Sequence, residues 1–230
     1  MELFEAIYRR RDVRDFGPDQ IPRKTLLKIL DAAHHAGSVG LMQPWNFTVI
    51  QAPASQAAIV EIVAEENLKA AKDYHGEDRE KYLSLHLEAI HTAPVHIAVT
   101  CDSQRGGLQV VGRNTMPETD LYSTCCAIQN LWLAARAEGI GMCWVSLIDP
   151  ERVKQILGIP DEITLVGYLC LGIPESFDER PHLERQGWKE RAPLEDVLFF
   201  ESWGQQNAID SPDTESSPLT KEGLRGVTSP

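Results

Sequence analysis

The stretch 120–138 constrains the fold of this chain more than any other. Leu121, Cys125, Ile128, Leu131, Trp132 and Ala135 recur in it at helical spacing, and Gly139 and Gly141 stop the pattern. A helix that long and one-sided needs a broad apolar surface to lie on. The runs 95–100 before it and 142–147 after it read as strands that supply one, and 45–50 and 164–171 read as two more. Shorter helices are expected at 2–8, with Leu3, Phe4 and Ile7 on one face, and after Pro22, with Leu26, Leu27, Leu30 and Ala33 inward and Gly37 near the end. Helical stretches at 55–72 and 77–91 and a short helix from about Pro150 complete the pattern. Strands and helices alternate without a G-x-G-x-x-G, so the nicotinamide fingerprint is absent. Patterning alone gives a mixed α and β chain, interrupted by a long polar loop from about 102 to 118. Loops of that length inside a compact domain are usually functional.

Composition narrows the function classes. With 230 residues, 43% of them hydrophobic, the chain can bury a sizeable core as one medium domain. A formal net charge of −12 speaks against a nucleic-acid partner, so any phosphorylated ligand must find a local basic cluster. The five cysteines (Cys101, Cys125, Cys126, Cys143 and Cys170) show no C-x-x-C or zinc spacing and read as reduced, mostly buried thiols. No H-E-x-x-H occurs, and His86 and His91 are too far apart on a helix to share one ion, so no metal is expected. The first residues lack a signal-peptide pattern, and no apolar run approaches the roughly 18 residues of a membrane span. A cytoplasmic protein without a membrane association is therefore expected. From about Gln205 the composition turns to Ser, Pro, Thr, Gly and charge. Residues 1–204 are expected to form the domain and 205–230 a disordered tail.

Two segments carry chemistry. Arg10, Arg11 and Arg14, spaced by Asp12 and Val13, follow the first helix, and guanidinium forks suit a phosphomonoester. The plainer alternative is a solvated basic helix end. Further on, Gly37-Ser38-Val39-Gly40-Leu41-Met42-Gln43-Pro44-Trp45-Asn46-Phe47 combines glycines, which let backbone approach a ligand, with Ser38, Gln43 and Asn46 as hydrogen-bonding groups. Its plainer alternative is a helix–strand connection.

Together the two segments, with Lys189-Glu190-Arg191-Ala192-Pro193-Leu194, resemble the nitroreductase family. That resemblance implies an α+β fold, a mainly antiparallel sheet flanked by helices, in an intertwined homodimer with FMN at the interface. It assigns Arg10, Arg11, Arg14, Ser38, Gln43 and Arg191 as flavin contacts, with Asp12, Val13 and Ser146 in the same site. The segments Arg105-Gly106-Gly107, Gly112-Arg113, Asp120-Leu121-Tyr122-Ser123-Thr124, 129–139, Trp144-Val145-Ser146 and Phe200-Glu201-Ser202-Trp203-Gly204 sharpen it to one branch. That branch fragments reduced FMN with O₂ to 5,6-dimethylbenzimidazole, the lower ligand of cobalamin, and a four-carbon sugar phosphate. A separate flavin reductase would then supply the reduced flavin. Within the family, the middle of the arginine motif usually holds a small hydroxyl residue, whereas this chain has Asp12. A carboxylate there is unfavourable beside a phosphate unless arginines offset it or the chemistry needs a base. The resemblance therefore implies Asp12 and Ser146 as catalytic residues, and the 102–118 loop and 77–91 stretch as covers. The competing readings are an ion-pair partner for Asp12, a backbone-bonded hydroxyl for Ser146, and surface excursions for the covers. An NAD(P)H-dependent nitroreductase or flavin reductase is the alternative activity.

Overall fold

The strand Val95–Cys101 is buried at all seven positions, so it needs strands on both edges and helices on both faces. The computed structural model, which describes residues 1–84, 89–107 and 109–206, provides both. In chain order the elements are α1 (Leu3–Arg9), α2 (Arg23–His34), β1 (Trp45–Ile50), α3 (Pro53–Ala70), α4 (Gly76–Leu83), α5 (Ala89–Thr92), β2 (Val95–Cys101), α6 (Thr119–Ala137), β3 (Gly141–Val145), α7 (Pro150–Leu157), β4 (Thr164–Gly172) and α8 (His182–Arg185). The sheet is antiparallel throughout, in the order β1-β2-β4-β3. The expected α+β architecture holds. Expected and observed strands agree to within two residues, and 45–50 agrees at both ends.

Strand alternation sends side chains to two cores. On one face Val95, Ile97, Val99, Met142, Leu169 and Leu171 meet Leu26, Ile29 and Ala33 of α2 and Ile128, Leu131 and Ala135 of α6. On the other, Ala98, Cys143, Tyr168 and Cys170 meet Ile59, Ile62 and Val63 of α3 and Val153 of α7. His96 shares this second face, its Nδ1 2.7 Å from the Tyr168 hydroxyl. Burial holds the imidazole down at a pKa of about 4, so it is neutral there.

Three helix faces differ from expectation. In α2 it is Ile29, not Leu27, that turns inward; Leu27 is 53% exposed. In the first half of α6, Ser123 and Thr124 are buried while Leu121 and Cys125 face outward. A turn packs on that part of the helix and donates a backbone N–H to Ser123 Oγ, so a hydroxyl rather than a large apolar group lies beneath it. In α1 only Ala6 is buried, and Leu3 and Phe4 are more than 60% exposed. Among the cysteines, all free, Cys101, Cys143 and Cys170 are buried and the adjacent Cys125 and Cys126 are exposed.

The chain divides into two compact units, Met1–Gln186 and Gly187–Pro230. In the second, Leu194–Asp196 form a single 3₁₀ turn, Gln206 bonds the Glu195 carbonyl, and the Phe199 and Trp203 rings lie 5.1 Å apart. The expectations about residues 207–230 and His86 fall outside the described residues. Among the described residues no helix is long and apolar enough to cross a membrane, and no group of three His, Cys, Asp or Glu could hold a metal.

Candidate active site

The arginine run is placed by the far end of α6. Arg136 Nε donates to the Arg9 carbonyl at 3.2 Å, and the Arg10 guanidinium stands 4.3 Å over the Trp132 ring. The chain then turns along the outer edge of β3. Asp12 forms a parallel bridge with Met142, the Val13 N–H donates to the Met142 carbonyl at 3.0 Å, and the Gly17 N–H reaches the Ile173 carbonyl at 2.8 Å. Two glycines permit this close approach. A Cβ on Gly172 would lie 2.7 Å from the Phe16 ring, and one on Gly141 would lie 2.9 Å from Val13. Val13 and Phe16 are thereby buried as anchors, which leaves Asp12 and Arg14 pointing the other way.

There the two side chains pair, Arg14 Nε donating to Asp12 Oδ2 at 3.1 Å, while Asp12 Oδ1 accepts weakly from the Trp144 N–H at 3.4 Å. Arg14 is the wall between two cavities. The larger, about 310 Å³, is polar and includes Arg11, Asp12, Asp178, His182 and Arg185. The smaller, about 80 Å³, is lined by Val63, Cys143, Trp144, Val145, Ser146 and Leu147 besides Arg14. Arg11 spans the carbonyls of Tyr8, Arg10 and Glu179, so its fork also fixes the cavity rim. Burial, and then the positive charges of Arg14 and Arg185, hold His182 below the usual imidazole range. Burial, and then the Asp12 carboxylate, push the Cys143 thiol well above its usual range, and its S–H lies within hydrogen-bonding reach of Asp12. His182, Arg185 and Cys143 carry no local motif, and only the tertiary fold brings them here.

The glycine-rich turn sits elsewhere. Its Val39 N–H donates to Ser123 Oγ at 3.2 Å, in the first turns of α6, and its Gln43 N–H donates to Ser38 Oγ at 3.2 Å. The arginine run is tied to Trp132 and Arg136, in the last turns of the same helix. At about 1.5 Å rise per residue, Ser123 and Arg136 are roughly 20 Å apart along the axis. Arg11, Asp12, Arg14 and Ser146 are therefore gathered around two adjoining cavities, whereas Ser38 and Gln43 are not brought to them within one chain. Arg10 is stacked on Trp132. Arg191 is exposed in the second unit.

The loop expected as a cover is instead fastened to that turn. Arg105 donates to the carbonyls of Gln43 and Trp45 and to Asn46 Oδ1, and Arg113 closes the loop on the Ser103 and Gly107 carbonyls.

This antiparallel sheet between helix layers, with a basic segment laid on its edge, defines a flavin-type scaffold, and the chain belongs to the nitroreductase family, whose pattern matches residues 7–173. It is similar to the 5,6-dimethylbenzimidazole synthase of Rhodospirillum rubrum, 41% identical over 80% of this chain and 87% of that protein. It is likewise similar to a 5,6-dimethylbenzimidazole synthase of Rhodobacter capsulatus, 38% identical over 84% of this chain and 93% of that one. Among solved structures it resembles a BluB-like flavoprotein from Clostridium difficile 630, with a TM-score of 0.66 and 22% identity over 88% of this chain and all of the other. The polar cavity sets Arg11, Arg14, Arg185 and His182 against Asp12, Asp15, Glu175 and Asp178, beside a mostly apolar slot ending in a hydroxyl; its guanidiniums are the groups that would meet a flavin phosphate.

Proposed function

We propose that this protein is a 5,6-dimethylbenzimidazole synthase, converting reduced FMN and O₂ to 5,6-dimethylbenzimidazole, a four-carbon sugar phosphate and the remaining pyrimidine fragment, which leaves oxidised. The observation that carries the reading is the placement of Asp12. Its carboxylate is paired with Arg14 in a polar cavity of mixed charge, and Arg14 joins that cavity to the slot holding Ser146. The curated relatives at 38–41% identity support the same activity. Reduced FMN supplies both the carbon skeleton of the product and the electrons that O₂ takes up. Arg11 and Arg14 hold its phosphate, aided by Arg10. Asp12 accepts a proton from a ribityl hydroxyl during carbon–carbon cleavage, a role for which the hydrogen bond from Arg14 orients it. Ser146 stands at the edge of the ring and Val13 anchors the segment.

The same reading includes a homodimer. The slot beside Ser146 is small, about 80 Å³, against about 310 Å³ for the polar cavity that it adjoins. The turn with Ser38 and Gln43 is held about 20 Å away along α6, and α1 presents Leu3, Phe4, Ile7 and Tyr8 to the outside. A second copy placing its 38–43 turn over the first copy's Arg14–Ser146 slot answers all three points. A separate flavin reductase delivers the reduced flavin.

The test is single-turnover mixing of the reduced FMN complex with oxygenated buffer, followed by chromatography. The expected result is loss of flavin with stoichiometric 5,6-dimethylbenzimidazole. Brisk NADPH oxidation with added nitroaromatics, and flavin returned intact, would instead assign the chain to the NAD(P)H-dependent reductases.

A further inference from the structure

Two residues of the glycine-rich turn are in a backbone conformation that side chains disfavour: Leu41 has φ 51° and Gln43 has φ 46°. Non-glycine residues stay in that region only where their surroundings over-determine it. Here the surroundings are the 102–113 loop. The Arg105 guanidinium reaches three acceptors at once, Gln43 O at 2.9 Å, Trp45 O at 2.8 Å and Asn46 Oδ1 at 2.5 Å. The Asp102 N–H donates to the Pro44 carbonyl at 2.8 Å. From the other side Val110, buried, fits against Gly40 so closely that a Cβ there would lie 2.6 Å from it. Two nitrogens of one rigid planar fork hold these three oxygens in a fixed relation, which a single ammonium nitrogen on a flexible stem does not impose.

We infer that Arg105 is a positioning residue for flavin binding: it holds the 38–46 turn in its strained form and so sets Ser38 and Gln43 for the flavin. The inference rests on the functional reading above, since it takes the turn to be a flavin-contacting half-site. Without the clamp the turn relaxes toward unstrained backbone, and apparent affinity falls by the fraction of chains that keep the competent form.

The experiment uses full-length wild type, Arg105→Ala, Arg105→Lys and Val110→Ala. It measures oxidised-FMN binding by quenching of flavin fluorescence, and amide exchange of the flavin-free proteins. Expected are about tenfold weaker FMN binding in both Arg105 variants and faster exchange at Val39 and Gln43, with melting temperatures that do not rank the variants as affinity does. Val110→Ala loosens the turn from the Gly40 side and is read the same way, so the test survives an Arg105→Ala chain that fails to fold. Faster exchange with unchanged affinity would make Arg105 merely structural and overturn the inference. So would Arg105→Lys binding as wild type does, because charge alone would then suffice. A wild type that takes up no FMN removes the functional reading itself; a wild type that binds, with variants that bind equally, removes only the inference.

Discussion

Asp12 has both carboxylate oxygens engaged by the protein, one by Arg14 and one by the Trp144 N–H. Asp12→Asn keeps an acceptor for that N–H but removes the base. On the proposed mechanism it lowers the fragmentation rate on the order of 10²–10⁴-fold, the usual cost of a lost general base, while FMN binding is kept or tightened. Ser146→Gly leaves binding intact as well and returns oxidised FMN in place of product. Single-turnover chromatography reads both; an Asp12→Asn protein that makes product at the normal rate reduces Asp12 to an ion-pair partner. A second residue-scale prediction concerns His96, whose folded pKa of about 4 lies below the ordinary value of 6.5. Between those values the unfolded chain binds the proton and the folded chain does not. Stability from this group is therefore complete above about pH 6.5 and is lost as pH falls toward 4, by roughly 3 kcal/mol in all. Denaturant melts of wild type and His96→Gln across that window should show wild type losing ground; parallel curves would exclude the buried imidazole as the cause.

At the scale of elements, the sheet edge positions the site. Gly172→Ala puts a methyl 2.7 Å from the Phe16 ring, which must move and take Arg14 with it. The expected cost is about 1–3 kcal/mol, or several degrees in Tm for a chain of this size, together with weaker FMN binding. Gly37→Ala, with nothing within 4 Å, is the control for stability and should leave Tm unchanged. These elements were legible in the sequence to different degrees. Strand limits were readable because burial on both faces leaves unbroken apolar runs. The inward face of α6 was not, because Ser123 and Thr124 are buried under a turn whose position depends on residues far along the chain. The exposed face of α1 was misleading because apolar spacing alone does not say that a surface is covered by the same chain. Of the site, the arginine run and Ser146 were legible from local motifs. The pairing of Asp12 with Arg14 was open as one of several partners, and His182, Arg185 and Cys143 were silent.

For the molecule as a whole, α6 is the ruler. It fixes the arginine run at one end and the Ser38 turn at the other, and the proposed site combines opposite ends from two copies. Mixed chains test this directly. Arg14→Ala and Arg105→Ala chains, each impaired alone, should on co-refolding yield pairs with one intact and one doubly impaired site. FMN titration would then recover wild-type affinity for up to about one flavin per mixed pair. Failure of the mixture to exceed either parent would place the whole site in one chain.

The proposed two-copy site has a consequence in mass action. Turnover per chain then depends on protein concentration, falling on dilution as pairs separate, and flavin shifts that midpoint because it binds the pair and not the lone chain. Scarce flavin and scarce protein thus act on the same equilibrium, so at low levels of either the proposed pair gives way to single chains that hold no complete pocket.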